Sequence, residues 1–317
     1  MFIDILLLIM GLTILYFGAE AMVKGASLIA LGFGISPLVV GLTVVAFGTS
    51  APEFVVSFSA VLQESEGISV GNIVGSNICN IALILGISAL IAPLSIDASS
   101  LKREYPIMIA ASLLFFGFSY DGLIDHWEGG ILFLGIVGFV TYNMVLSRRL
   151  SQLSEDDDDG DDDDASNLLR NIAYLVFGIA GLTVGAHLMV EGASSIARSA
   201  GISDLVIGIS IVAFGTSLPE LATCAVAAVR GESDISIGNV IGSNIFNILF
   251  IMGGVPLLFT MPVDPEALRF DFPIMIAVML IAFPIMRHQY RIGRIKGGIF
   301  LLIYVGYTVF LFVRTSS

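Results

Sequence analysis

Histidine and cysteine are almost missing from this chain, three and two among 317 residues. Zinc and copper centres are built from clusters of those side chains, so such centres are excluded as the basis of its chemistry. Cys79 and Cys224 fall in different predicted helices and do not correspond in the repeat described below. No disulfide framework is readable, and their expected role is packing as small apolar residues. Charge is scarce too: 13% of residues are charged, against 56% hydrophobic. A soluble domain carries about 25% charged residues, so this composition excludes one and assigns the chain to a bilayer. With 14 basic residues against 27 acidic ones, nucleic acid is not an expected partner. The first apolar stretch lacks the basic flank of a cleaved signal peptide and is too long for one. Its end recurs later in the chain, so it belongs to the expected fold.

What the chain does have is apolar runs near twenty residues, the length that crosses a hydrocarbon core. They fall at about 2–24, 37–62, 68–93, 105–120, 129–147, 171–197, 203–229, 235–260, 271–286 and 297–313. The expected fold is an all-α membrane protein of ten transmembrane helices. Those helices form two copies of one unit: an ungapped offset of 167 carries Gly41–Gly86 onto Gly208–Gly253 with 22 of 46 positions identical. The same offset maps Gly25-Ala26-Ser27 onto Gly192-Ala193-Ser194, and PIMIA at Pro106 onto PIMIA at Pro273. A duplicated unit follows, with a first five-helix repeat at 1–150, a linker at 151–169 and a second repeat at 170–317.

Loop charges orient the chain. With both termini outside, eleven Lys and Arg fall on the cytoplasmic side and three on the other, a positive-inside distribution. Five is odd, so the second repeat crosses the membrane upside down relative to the first. Inverted repeats of this kind place a transporter's binding site near the midplane, between the two copies. The expected location is a cell membrane crossed many times.

The net charge of −13 points to no cationic partner, because nine negative charges sit in Glu155–Asp164, EDDDDGDDDD. That run reads as a solvated cytoplasmic linker. An EF-hand loop with Gly160 at its sixth position would begin at Glu155 and end at Ser166, so its closing acid is missing.

The chemistry lies in two motifs. GLTVVAFGTSAPEF at Gly41 returns as GISIVAFGTSLPEL at Gly208, and GNIVGSNICN at Gly71 returns as GNVIGSNIFN at Gly238. Ala46, Thr49 and Glu53 share one helical stripe, with Ser50 beside it. Pro52 offers no N–H and crowds the carbonyl at Gly48, so the helix should open there and free backbone oxygens. The second copy supplies Ala213, Thr216, Ser217, Pro219 and Glu220. Ser76 with Asn80, and Ser243 with Asn247, add a hydroxyl and an amide at i, i+4 spacing. Carboxylates, hydroxyls and carbonyls are hard oxygen ligands, suited to sodium or calcium. An ionised acid at mid-bilayer costs about 3 kcal/mol, so a duplicated one needs an offset, and a bound cation supplies it. The glycines read as close helix packing.

GTSxPE paired with GSNxxN resembles the alpha repeats of the cation/calcium exchanger superfamily, and within it the sodium/calcium exchanger branch, particularly its short prokaryotic members. Calcium/proton exchangers of that superfamily usually carry a GNxxE-type first motif, so the form here is similar to the sodium branch; proton- or potassium-coupled exchange is the alternative. The resemblance implies a secondary antiporter exchanging Na⁺ for Ca²⁺ by alternating access, with no enzyme activity and no cofactor. It implies calcium held by Glu53 and Glu220 with Thr49 and Thr216. Sodium would use the same acids with Ala46, Ser50 and Ser76 on one side, Ala213, Ser217 and Ser243 on the other, and Asn80 and Asn247 between. It also implies that the first and sixth helices slide against the other eight. Glu20, Lys24, His187 and Glu191 lie on those two helices, and interfacial anchoring is their expected role. Some relatives carry aspartate where Asn247 stands; here the site has two carboxylates. A channel would show a continuous polar path, and a hydrolase a nucleophile with its base; neither motif has either.

Overall fold

The computed structural model describes residues 2–63, 66–152, 164–200, 211 and 213–315. They are mostly helical. Helix α1 is Phe2–Gly32; α2, Pro37–Thr49, and α3, Ala51–Leu62, form one span bent by 42°. Helix α4 starts at Glu66 and continues through a wide π-helical turn at Cys79–Ile84 to Ile91. Strand β1 (Leu94–Ser95), the short α5 (Ala98–Lys102), α6 (Glu104–Phe118), β2 (Leu123–Ile124) and α7 (His126–Gln152) complete the first half. The second half has α8 (Asp164–Ser199), α9 (Ala213–Thr216), α10 (Leu218–Val229) and α11 (Ser233–Gly254, with a π-helical turn at Phe246–Ile251). Strand β3 (Met261–Pro262), α12 (Ala267–Arg287), β4 (Arg291–Ile292) and α13 (Arg294–Thr315) follow.

Among the described residues, seven helices are long and apolar enough to cross a membrane, eight if the bent pair α2–α3 is one span. Helix α6 occupies the fourth expected span in fifteen residues. Of the expected span 203–229, residues 203–210 and 212 lie outside the described residues, and α9 and α10 occupy its latter part. Of the expected linker 151–169, α7 is described as far as Gln152 and α8 from Asp164 onward. Residues 153–163 lie outside the described residues.

Two short strand pairs join the halves crosswise: β1 with β4 and β2 with β3, both antiparallel. Strand β3 lies at the 167 offset from β1, but β4 lies 168 from β2. The last helix of each half keeps this one-residue shift: Gly129 meets the Gly253 carbonyl, and Gly297 meets that of Gly86. The extra residue is taken up in the turn before β4, where Gln289 and Tyr290 have φ of 62° and 49°.

Burial separates the helices. Within their apolar windows, α11 is 94% buried and α4 78%, against 22% for α1 and 11% for α13. The helices carrying the second motif therefore stand at the centre. Helices α1 and α8 pack against each other through glycines seven residues apart, Gly11, Gly18 and Gly25 on one and Gly178, Gly185 and Gly192 on the other. A Cβ at Gly18 would stand 2.7 Å from the Leu182 nitrogen, and one at Gly178 2.6 Å from the Met22 nitrogen, so the two backbones touch. Glu20 on α1 pairs with Arg230, just beyond α10. Lys24 donates to the Tyr174 hydroxyl on α8 at 3.1 Å. These contacts tie helix to helix, beyond the anchoring expected of Glu20 and Lys24; His187 and Glu191 face each other at 4.0 Å on the exposed side of α8.

Candidate cation site

The first motif is not one helix holding a glutamate. Helix α2 ends at Thr49, Ser50 takes φ −79° and ψ 5°, and α3 starts with Pro52 in its first turn. Pro52 brings no N–H that could be left over at that start, and the Gly48 carbonyl loses its helical donor. Ser217 repeats the break at φ −89° and ψ 5°, with Pro219 in the first turn of α10. Glu53 and Glu220 thus lie in first turns, where the helix dipole favours an anion. They are 1% and 0% exposed.

The two breaks exchange hydrogen bonds. Ser50 Oγ donates to Glu220 Oε1 at 3.2 Å, and Ser217 Oγ donates to Glu53 Oε1 at 3.3 Å. Each serine therefore serves the acid of the other half, and the two carboxylates belong to one site. Thr49 Oγ1 donates to Asn239 Oδ1 at 3.0 Å and lies 3.3 Å from Ser243 Oγ. Helix α10 packs against the wide turn 79–84 that holds Asn80, and α3 against the wide turn 246–251 that holds Asn247. Thr216, Ser76, Ser243, Asn80 and Asn247 are all buried.

The unsatisfied atoms are mostly oxygens. Glu53 Oε2, Glu220 Oε2, Asn80 Oδ1, Asn247 Oδ1 and Ser76 Oγ have no hydrogen-bond partner among the described residues, nor does Asn80 Nδ2. Buried polar atoms in native proteins find partners, and adjacent buried carboxylates need a positive charge between them. Five unpartnered oxygens, two of them carboxylate, are complementary to a hard cation. The Ala46 carbonyl accepts from the Ser50 N–H at 3.0 Å, so it keeps a donor across the break.

Sequence reasoning missed four asparagines. Asn239 receives the Thr49 hydroxyl, and Asn77 Oδ1 accepts from Asn247 Nδ2 at 3.0 Å, turning the Asn247 oxygen loose. Asn72 and Asn239 make corresponding bonds in the two halves, to Ser57 Oγ at 3.4 Å and Cys224 Sγ at 3.3 Å. Asn244 donates back to the Val240 carbonyl one turn earlier in its own helix, at 2.7 Å. Their signal was available, because both copies of GNxxGSNxxN retain all three asparagines.

Comparison with known proteins follows the same residues. The family model described as sodium/calcium exchanger protein matches residues 3–145 and 170–313. The putative antiporter CaxA of Alkalimonas amylolytica is 38% identical, over 98% of this chain and 99% of its own length. The sodium/calcium exchanger MaX1 of Methanosarcina acetivorans is 35% identical over 98% and 99%. Among solved structures, the sodium-calcium exchanger NCX_Mj soaked with 2.5 mM Na⁺ and 0.1 mM Ca²⁺ superposes with a TM-score of 0.83 at 32% identity, covering 97% of this chain and 98% of that one.

Proposed function

Because this chain belongs to the sodium/calcium exchanger protein family, we propose that it exchanges Na⁺ for Ca²⁺ across a cell membrane, with the sodium gradient driving calcium out. The reading rests above all on the reciprocal bonds Ser50 to Glu220 and Ser217 to Glu53, which join one carboxylate from each half into a single cation site. Calcium is bound by Glu53 and Glu220 with Thr49 and Thr216. Sodium takes the same acids with Ser50, Ser76, Ser217, Ser243, Asn80 and Asn247, and with the carbonyls of Ala46 and Ala213; the Ala46 carbonyl first releases a donor. The two ions compete for shared ligands, so one must leave before the other binds.

Ten spans in two inverted repeats carry this site, with the termini outside and the acidic linker in the cytoplasm. The crosswise strand pairs support the inversion, because exchanging the halves turns one pair into the other. Alternating access comes from α1 and α8 sliding over the remaining helices. Their glycine contact supports a joint movement, since two backbones in direct contact travel as a pair.

The test is ⁴⁵Ca²⁺ uptake into vesicles loaded with Na⁺, H⁺ or K⁺ in turn. An outward Na⁺ gradient alone is expected to drive saturable uptake. Uptake driven by the H⁺ gradient and indifferent to Na⁺ would replace this reading with proton coupling; uptake that needs no counter-ion would replace it with a channel.

A further inference from the structure

A second group of oxygens lines a cleft where α1 turns into α2, and neither Glu53 nor Glu220 is part of its lining. A cavity of about 330 Å³ there is lined by Ser36, Asp97, Arg103, Glu104, Asn143 and Ser147. Glu104 is 2% exposed, Asn143 0% and Ser147 4%. Glu104 Oε2, Asn143 Oδ1 and Ser147 Oγ have no hydrogen-bond partner among the described residues. Asn143 Nδ2 donates to the Phe139 carbonyl at 2.9 Å, which leaves the amide oxygen, an acceptor, as its free end. The Arg103 Nε stands 3.9 Å from Glu104 Oε1, beyond hydrogen-bond reach. Both Asp97 oxygens are taken by Ser99, one by its N–H and one by its hydroxyl, each at 2.8 Å. Among the described residues that line the cavity, two carboxylates, Asp97 and Glu104, stand against one guanidinium, that of Arg103.

The other half shows what fills the corresponding place. The paired PIMIA runs align Glu104 with Asp271, and the runs Gly129-Gly130-Ile131 and Gly297-Gly298-Ile299 align Leu146, which also lines the cavity, with Arg314. Arg314 donates to both Asp271 oxygens, at 3.3 and 3.1 Å, and lies 3.5 Å from Glu266. The second half thus carries its own cation where the first half has a leucine and a cavity.

We propose that this cavity binds a hydrated monovalent cation, Na⁺ or K⁺, held by Glu104, Asn143 and Ser147, which does for the first half what the Arg314 guanidinium does for the second. The ligands are hard oxygens, the one carboxylate in excess among the described lining residues matches one positive charge, and the volume leaves room for part of a hydration shell.

The test does not depend on the exchange reading, because it is made in the full chain carrying Glu53→Gln and Glu220→Gln. Thermal unfolding in detergent is followed in choline chloride while NaCl, KCl or CaCl₂ replaces it at constant ionic strength. A ligand that binds only the folded protein raises the midpoint with the logarithm of its concentration. That rise is expected with Na⁺ or K⁺, and is expected to vanish on adding Glu104→Gln. Adding Leu146→Arg should also abolish it, while leaving the midpoint without Na⁺ or K⁺ at or above that of its parent. No rise with either monovalent ion, a rise with Ca²⁺ alone, or a rise that survives Glu104→Gln overturns the proposal. Should Leu146→Arg fail to fold, anomalous diffraction from wild-type crystals grown in Tl⁺ decides. A peak in contact with Glu104 Oε2 is expected there, and its absence overturns the site.

Discussion

A carboxylate enclosed on every side gives up its water and needs donors or a cation in exchange. Glu53 and Glu220 each receive a serine hydroxyl on Oε1, and their Oε2 atoms have no hydrogen-bond partner among the described residues. A glutamine at either position keeps the shape and one acceptor but removes half of the charge that would face Ca²⁺. Breaking a buried charge pair costs about 3 kcal/mol or more, so Glu53→Gln or Glu220→Gln is expected to slow exchange by at least about a hundredfold. Sodium-driven ⁴⁵Ca²⁺ flux and calcium calorimetry on the same preparation check this, and near-normal values in both single variants would remove the two acids from the site. Glu→Asp, which keeps the charge and shortens its reach, should be milder. Asn247 has its amide nitrogen tied to Asn77 and its oxygen free, so Asn247→Asp places a third acid at that oxygen. Its sodium dependence, followed between about pH 6 and 9, is expected to shift relative to the parent; superimposable curves would assign Asn247 to packing alone.

At the scale of elements, the contact of α1 with α8 brings backbone against backbone at six glycines. Gly18 and Gly178 leave no room for a Cβ, which would meet backbone atoms at 2.7 and 2.6 Å. Backbone cannot rotate away as a side chain can, so Gly18→Ala or Gly178→Ala forces the helices apart, at about 1–3 kcal/mol. Gly138 on α7 has no atom within 4 Å of its Cβ position, and alanine is the better helix former by about 1 kcal/mol. Gly138→Ala should therefore leave the unfolding midpoint in detergent unchanged or raise it, while Gly18→Ala and Gly178→Ala lower it by several degrees. Equal effects at the three positions would contradict the close contact. If α1 and α8 slide as a pair, the first two substitutions should also slow exchange in protein that still folds.

For the molecule as a whole, the question is what joins the halves. Crosswise strands, the serine–glutamate exchange and the long α1–α8 contact all bind one half to the other through space. The acidic stretch between α7 and α8 is then needed only as a tether. A Gly/Ser segment of equal length in place of Glu155 to Asp164 is expected to leave sodium-driven calcium flux within about twofold of the parent, because charges on a solvated linker are screened. Complete loss of flux in correctly inserted protein would give the acidic run a regulatory role.

By itself the sequence determined the solvent, the duplication, the two acids and the prolines beside them. These are properties of composition and local spacing: a 20-residue apolar run, a repeat and a helix-breaking ring act wherever the chain goes. Spacing also identified which face of each segment is polar, but it could not say what that face meets. Ser50 and Glu53 look like neighbours on one stripe, yet Ser50 bonds to Glu220, because the break at Ser50 turns the stripe toward the other half. The asparagines 77 and 239 became functional candidates only once their partners were in place. Likewise the constant offset of 167 concealed a one-residue shift, and the packing of Gly129 on Gly253 and of Gly297 on Gly86 shows that Leu146 and Arg314 hold equivalent places in the two halves. Local chemistry is written along the chain, whereas the partner of a buried polar atom depends on which distant segment the fold brings within about 3 Å of it, and that was decided by the tertiary structure.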